Sequence, residues 1–405
     1  IIVGGGIEFD GRDLAPFDGD AIARFLDKVG PKADGVAITS VFSPVSARHE
    51  LEAQQVVRRE LGEIHVSLSH QVGSLGLLER ENATVLNAAL VGVARQVTDA
   101  VRASLHSRAL DPVTFFAQND GTLMALEYAV QHPVLTIGSG PANSIRGAGF
   151  LTGSEDAVVL DVGGTSSDVG VLIRGFPRQS SQGVEVGGVR TNFRMPDLVT
   201  IAIGGGTVVH REGDDLRLGP ESVGYRIQQE ALTFGGSTLT LTDAAVSAGR
   251  TRLGSHSLPS SLGPLAGLAL ARSDQELADA IDKVKTSRAD CLLIAVGGGS
   301  VLLPESLPGV SEIHRPQHFD VANAIGATIA KVSGQVDRIA QLGAGGREEA
   351  LSRAAQEARE QAVLAGADPG KVEIVEIEEI PLAYLTNPAL RLRVKAVGEL
   401  GTGGS

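Results

Sequence analysis

Residues 157–171 read AVVLDVGGTSSDVGV, and this stretch limits what the chain can fold into more than any other. Two short apolar runs, 157–160 and 169–173, are rich in β-branched residues and predict strands. Between them Gly163 and Gly164 mark a tight turn. The predicted hairpin carries at its tip Asp161, bare backbone amides, the hydroxyls of Thr165, Ser166 and Ser167, and Asp168. Glycines let a chain approach a ligand closely and leave N–H groups unobstructed. Hydroxyls donate to phosphate oxygens. An aspartate at a strand end suits Mg²⁺, which takes one or two carboxylates together with phosphate oxygens. The composition therefore fits a nucleotide phosphate; a polar turn with a structural role alone is the other reading.

The whole pattern, strand–Asp–x–Gly–Gly–Thr–x–x–Asp–strand, resembles the phosphate hairpin of the actin-like ATPases, a class that includes sugar kinases and Hsp70-type chaperones. That resemblance implies an α/β fold with a ribonuclease-H-like nucleotide core from about residue 156. It implies ATP and Mg²⁺ as ligands, with Asp161 as the metal-bound, catalytic acid and Gly163, Gly164, Thr165 and Ser166 around the phosphates. Asp168 either orients the hairpin hydroxyls or assists the metal. A second apolar strand, CLLIAV at 291–296, ends on Gly297, Gly298, Gly299 and Ser300. In actin-like ATPases such a segment lines the adenosine pocket, because only glycine leaves room for the nucleoside. The small residues of 320–327 follow and predict a closely packed connector helix.

Composition removes several function classes. The formal net charge is −13 with no long basic run, which disfavours nucleic acid as a partner. Aromatics are only 3%, too few for stacking platforms. No apolar run approaches the ~20 residues of a membrane span. The lone Cys291 excludes an internal disulfide and fits a reducing, cytoplasmic setting; its place in an apolar strand predicts a core residue. His49-Glu50 lacks the second histidine of a zincin motif, and Pro316 separates His314 from His318, so no zinc set is legible.

The rest of the chain alternates strands and helices. Asp18 predicts a helix cap, GVAITSVF at 35–42 and IHVSLS at 64–69 predict strands, and a helix starting at Pro44 or Ser46 falls between them. A long helix is expected over 77–107, with Val85, Leu86, Ala89, Val93 and Val97 at helical spacing as its apolar stripe. A strand at 113–117, a helix over 122–131, and a strand, turn and helix over 133–150 come next; Asn143 and Ser144 either bind an anion or cap that helix. A strand is expected from Asp214 to Leu218, a helix at 244–250 behind Thr242 and Asp243, a loop over 251–272, and helices over 274–287, 320–341 and 346–366. The alternating runs VEIVEIEEI (372–380) and LRLRVKAV (390–397) predict paired strands. Between the hairpin and the strand at 198–201, Arg190, Asn192, Arg194 and Asp197 crowd strong hydrogen-bonding groups into a short segment. The functional expectation places this loop over the cleft beside the phosphate hairpin, with Arg190 and Arg194 neutralising charge and Asn192 and Asp197 reading substrate; a solvated loop with surface ion pairs is the alternative.

Several long segments, in order, are similar to the hydantoinase A/oxoprolinase family, nearest its N-methylhydantoinase A branch. They are DVGGTSSDVGVLIRGFPR (161–178), GGVRTNFRMPD (187–197), IGGGTVV (203–209), GSGPANSIRGAGFLTG (138–153), QNDGTLM (118–124), LTDAAVSAGR (241–250) and SPVSARHE (43–50). The resemblance implies ATP-dependent opening of a cyclic amide such as a hydantoin or 5-oxoproline through a phosphorylated carbonyl. It also implies a hydantoinase B-type partner subunit and an oligomer. Residues 1–76 would be a remnant of the N-terminal domain and 77–405 the hydantoinase A domain, ending in the strand pair at 371–397. The family's chains open with another Asp-x-Gly-Gly-Thr hairpin that residues 1–9 do not show, so the expected architecture is N-terminally incomplete. A different actin-like ATPase remains the second reading: a small-molecule kinase, a ketone carboxylase subunit or a non-catalytic nucleotide-binding scaffold.

Overall fold

The computed structural model describes residues 1–73, 75–180, 183–213, 215–342, 346–382 and 389–401. Helix α1 (Gly19–Val29) starts where Asp18 accepts a hydrogen bond from the Ala21 amide at 2.9 Å. Strands β1 (Gly35–Ile38) and β2 (His65–Leu68) pair in parallel, joined by α2 (Arg48–Leu61). The long helix α3 (Leu77–Ser107) leads to a short hairpin, β3 (Phe115–Ala117) and β4 (Leu123–Ala125). Helix α4 (Ser139–Thr152) then enters the main sheet, made of β5 (Ala157–Val162), β6 (Ser167–Ile173), β7 (Leu198–Ile201), β8 (Cys291–Val296) and β9 (Val310–His314).

The strand order of that sheet is β7-β6-β5-β8-β9. β5, β6 and β7 run antiparallel in sequence, while β8 lies parallel to both β5 and β9. Alternation along β5 decides its two faces. Val158, Leu160 and Val162 join the apolar cluster under helix α5 (Gly263–Val284). Val159 faces the other way, with Ile145 and Ala148 of α4 and Ala322 of helix α6 (Ala322–Thr328). Asp161 shares the Val159 face, so its carboxylate comes up beside the start of α4.

A second sheet, in the order β11-β12-β10-β4-β3, is formed by β10 (Val332–Gln341), β11 (Glu373–Pro381) and β12 (Ala389–Gly398) with the early hairpin. Helix α7 (Gly346–Leu364) covers it through Ala350, Ala354, Ala358 and Ala362, a stripe of small side chains that seats the helix backbone close to the sheet.

Several sequence expectations change in detail. The stretch expected as one helix over 320–341 is α6 followed by β10; the alternation in VSGQVDRIAQ fills a central strand, and antiparallel pairing along β12 holds it there. The predicted helix over 122–131 begins as β4, and 133–136 is a 3-10 turn rather than a strand. Helix α5 begins at Gly263, inside the expected loop, and the helix Leu241–Ser247 is capped by Thr240, not by Thr242. The strand expected from Asp214 is Asp215–Ser222, with Asp214 outside the described residues, as are 383–388 between the paired C-terminal strands. The stripe assigned to α3 is turned round: Val85, Val93 and Val97 are exposed, and the buried face carries Arg80, Thr84, Asn87 and Thr98. Arg80, Thr84 and Asn87 can line that face because each meets a fixed partner, as when the Asn87 amide donates to the Gln131 carbonyl at 2.8 Å.

Helices α4 and α6 cross where neither has a side chain. A Cβ on Gly147 would overlap the Ala322 carbonyl, and one on Gly326 would overlap the Asn143 carbonyl. Gly147→Ala is therefore expected to destabilise the chain by about 2–3 kcal/mol and to lower the thermal midpoint by several degrees. Gly267→Ala, in open space on α5, should be neutral or slightly stabilising. Thermal denaturation of the two variants side by side checks this.

Candidate functional site

The turn between β5 and β6 sits in a cradle of backbone. On one side the Gly205 amide donates to the Gly163 carbonyl at 3.0 Å and the Gly206 amide to the Gly164 carbonyl at 2.6 Å. A Cβ on Gly204 would stand 2.7 Å from the Thr165 nitrogen. On the other side a Cβ on Gly299 would stand 2.6 Å from the Gly163 carbonyl, and one on Gly297, whose φ is +81°, would overlap the Asp161 carboxylate. Side chains at these positions would push the three loops apart. Ser167 anchors the root of the turn by donating to the Ile203 carbonyl at 2.6 Å, and Ser222 donates to the Gly164 carbonyl at 3.2 Å.

These bonds consume the turn's carbonyls and leave its amides. The Gly163 amide closes the turn on the Ser166 carbonyl at 2.9 Å. The amides of Gly164, Thr165 and Ser166 have no acceptor among the described residues. Gly164 and Thr165 are exposed. Successive amides pointing out of a tight turn form an anion-binding concavity.

Asp161 and Asp168 face each other directly across the β5–β6 ladder. Burial pushes the Asp161 carboxyl above its ordinary range, partly offset by a hydrogen bond with Ser144 at the start of α4. Asp168 is raised by burial and by the neighbouring Asp161 charge, against a 2.5 Å hydrogen bond from Thr200. Two acids held side by side, neither beside a cation of the protein, have the electrostatics of a site completed by a bound cation. Among the described residues no group of three or more His, Cys, Asp or Glu could hold a metal alone. A cation here would therefore depend on ligand oxygens for the rest of its shell, as Mg²⁺ on a phosphate does.

The structure brings most of the sequence-derived residues together. β8 ends beside β5, with Val296 opposite Asp161, so Gly297, Gly298, Gly299 and Ser300 reach the same turn as Gly163, Gly164, Thr165 and Ser166. Ser300 is fully buried with an unpartnered hydroxyl. Ser144 joins as a partner of Asp161, not as a helix cap. The triplet Gly204, Gly205 and Gly206 and Thr200 are contributors that sequence reasoning did not assign to the site. Their signal was the second strand–Gly–Gly–Gly pattern at 198–206, which looks like an ordinary turn until its partner is known. Cys291 is half-buried, its thiol pushed up chiefly by burial, and takes no part.

Arg190, Asn192, Arg194 and Asp197 are not where the sequence placed them. Leu198 lies opposite Gly170 and Ile201 opposite Ser167, so β7 returns toward the turn from the far end of β6. The 187–197 segment projects from that far end. Asp197 pairs with Arg178 at 2.8 Å, Arg194 reaches Gln335 on β10 at 2.9 Å, and Asn192 donates to the Gly76 carbonyl at 2.9 Å. Arg190, Asn192 and Arg194 line a cavity of about 830 Å³ there. The expectation of a loop over the phosphate turn fails because strand direction carries the loop to the opposite edge, where buried Phe193 packs against Ala83 and Val134.

The Hydantoinase/oxoprolinase family model matches residues 80–264, and the Hydantoinase/oxoprolinase N-terminal region matches residues 1–61. The chain is 29% identical over 254 residues to caprolactamase subunit alpha of Pseudomonas jessenii, a match covering 61% of this chain and 36% of that one. It is 26% identical over 254 residues to the acetophenone carboxylase gamma subunit of Aromatoleum aromaticum, covering 59% and 34%. These matches thus span only about a third of either relative. The crystal structure of the ATP-dependent caprolactamase from Pseudomonas jessenii superposes with a TM-score of 0.78 at 20% identity, over 98% of this chain and 70% of that one, a likeness of fold. Among the described residues no helix is long and apolar enough to cross a membrane.

The raised carboxyls carry a stability cost with a definite sign. The folded chain holds the Asp161 proton more tightly than the unfolded chain does, so stability falls as pH rises from the ordinary carboxylate range through the raised value. Asp161→Asn removes this cost. Without ligand it is expected to raise the thermal midpoint by about 2 °C at pH 7, with a smaller gain at pH 4. Scanning calorimetry at the two pH values checks it.

Proposed function

Because the chain belongs to the hydantoinase/oxoprolinase family, we propose that it is the nucleotide-binding part of an ATP-dependent enzyme that opens cyclic amides. The supporting observation is the glycine-cradled turn with three free amides beside two raised carboxyls. The sheet order β7-β6-β5-β8-β9, three antiparallel strands followed by two parallel ones, is that of a ribonuclease-H-like core, which supports the actin-like architecture.

Bound ATP with Mg²⁺ would supply a phosphoryl group to the amide carbonyl oxygen with release of ADP, which makes the carbonyl carbon electrophilic; water adding there would let the ring C–N bond break, the nitrogen taking a proton, and a second water would hydrolyse the resulting acyl phosphate to carboxylate and phosphate. The chain's own contribution is positioning and charge. The amides of Gly164, Thr165 and Ser166 orient phosphate oxygens, and the Thr165 hydroxyl adds a donor. Asp161 holds the cation from the Val159 face, with Asp168 fixed beside it by Thr200. Gly298, whose missing side chain faces open space, leaves room for a nucleoside beside Gly297 and Gly299, with the unpartnered Ser300 hydroxyl at hand. The adjoining loops exclude water from the root of the turn.

Relatives that are themselves subunits support a second subunit as partner, and we assign it the hydantoinase B type. The carboxylase relative supports one further reading, a ketone carboxylase subunit. A requirement for bicarbonate in turnover would favour it.

Titration calorimetry of this chain with Mg·ATP is expected to show binding. Asp161→Asn should weaken it by at least about tenfold, or ~1.4 kcal/mol, without lowering the thermal midpoint. Unchanged affinity in that variant would remove the turn from the nucleotide site.

A further inference from the structure

The two acids of the turn are each held by a hydroxyl from a different element. Thr200 on β7 donates to Asp168 at 2.5 Å. Asp161 has Ser144 of α4 as its hydroxyl partner. Gly297 closes the other side of Asp161, where a Cβ would overlap Oδ1. A serine hydroxyl has one proton and can turn it toward any acceptor in reach. The Ser144 bond therefore fixes the Asp161 carboxylate only if something fixes Ser144.

Asn323, the second residue of α6, does so. Its Nδ2 donates to the Gly140 carbonyl at 2.8 Å and to Ser144 Oγ at 3.3 Å. A carbonyl oxygen only accepts, so the end of the amide that faces Gly140 is the NH₂ group and not the oxygen. That NH₂ group can only donate to Ser144 as well. Ser144 Oγ is thus an acceptor on the Asn323 side, and its own proton is left for Asp161. Gly140 and Ser144 lie about one helical turn apart on α4, which lets a single amide serve both.

The reach of so short a side chain depends on the helix crossing. Ser144 precedes Gly147 by one turn of α4, and Asn323 precedes Gly326 by one turn of α6. Because a Cβ at either glycine would overlap the facing backbone, the two helices come close enough for asparagine to bridge them. Asn323 is exposed, whereas Ser144 is buried. Removing the Asn323 amide therefore leaves the packing of the crossing in place while freeing the Ser144 proton.

We propose that Asn323 is a positioning residue, which aims the Ser144 proton at Asp161 and so sets that carboxylate for a bound cation. Hydrogen-bond partners that orient a metal-binding carboxylate contribute strongly to metal affinity. The inference rests on the reading of Asp161 as the acid that holds the cation. It goes beyond that reading by bringing α6 into the site through a residue that acts on Ser144 and not on the ligand.

The experiment follows Mn²⁺, a paramagnetic stand-in for Mg²⁺, by electron paramagnetic resonance, first alone and then with ATP. The unsubstituted chain is expected to bind Mn²⁺ in both arms, more tightly with ATP. Asn323→Ala should weaken Mn²⁺ binding by about five- to tenfold in each arm, the lower end of what losing such a partner costs. Its affinity for ATP in metal-free buffer and its thermal midpoint should not change. Ser144→Ala should cost at least as much, and the double variant no more than Ser144→Ala alone, because Asn323 acts through Ser144. Unchanged Mn²⁺ affinity in Asn323→Ala would overturn the inference. So would an equal loss of metal-free ATP binding, a midpoint lowered by several degrees, additive losses in the double variant, or no Mn²⁺ binding by the unsubstituted chain in either arm. Mn²⁺ binding with no gain from ATP would count against the nucleotide reading, and the first arm would still decide the role of Asn323.

Discussion

Backbone meeting backbone is the contact on which the rest of this molecule depends. Gly163 and Gly164 fit between two other glycine loops at distances no side chain permits. That packing uses up the turn's carbonyls and presents its amides. It also sets Asp161 beside Gly297, where a carboxylate is half-buried without a counter-charge. The same device recurs at the crossing of α4 and α6 and where α7 rests on β10 against Gly334. The chain's 51 glycines are therefore structural at its closest contacts, as well as being turn formers.

Electrostatics divides the two sites as clearly as geometry does. At the turn, acids are left without cations; at the far end of β6, arginines outnumber acids. Burial raises the cost of each imbalance, since water no longer screens it. A net charge of −13 makes the arginine-lined cavity more conspicuous, because an anion approaching this protein meets repulsion over most of its surface.

Much of this was legible from sequence because it is local. The hairpin at 157–171, the strand at 291–296 and the long helix at 77–107 follow from periodicity and turn residues, and chain order brought the two glycine turns together. What failed was non-local. Whether 332–341 is helix or strand is decided by β12, which arrives some fifty residues later. Which side of α3 is buried is decided by partners such as Gln131 and Glu50, which can satisfy Arg80 and Asn87 where valine would have been expected. The position of Arg190 and Arg194 depended on strand direction: a segment adjacent in sequence to a turn lay at the strand's opposite end.

The second sheet joins residues far apart in the chain, with Val332 pairing beside Leu123. On a ribosome the β3–β4 hairpin emerges long before β10 and β12 exist to flank it. The layer around β5 and β8, by contrast, has all its strands once residue 314 is out. Vectorial synthesis thus completes the phosphate turn before the arginine-lined cavity, whose walls include β11 and β12. An early hairpin waiting with one edge unpaired is the segment most exposed to wrong partners during that interval.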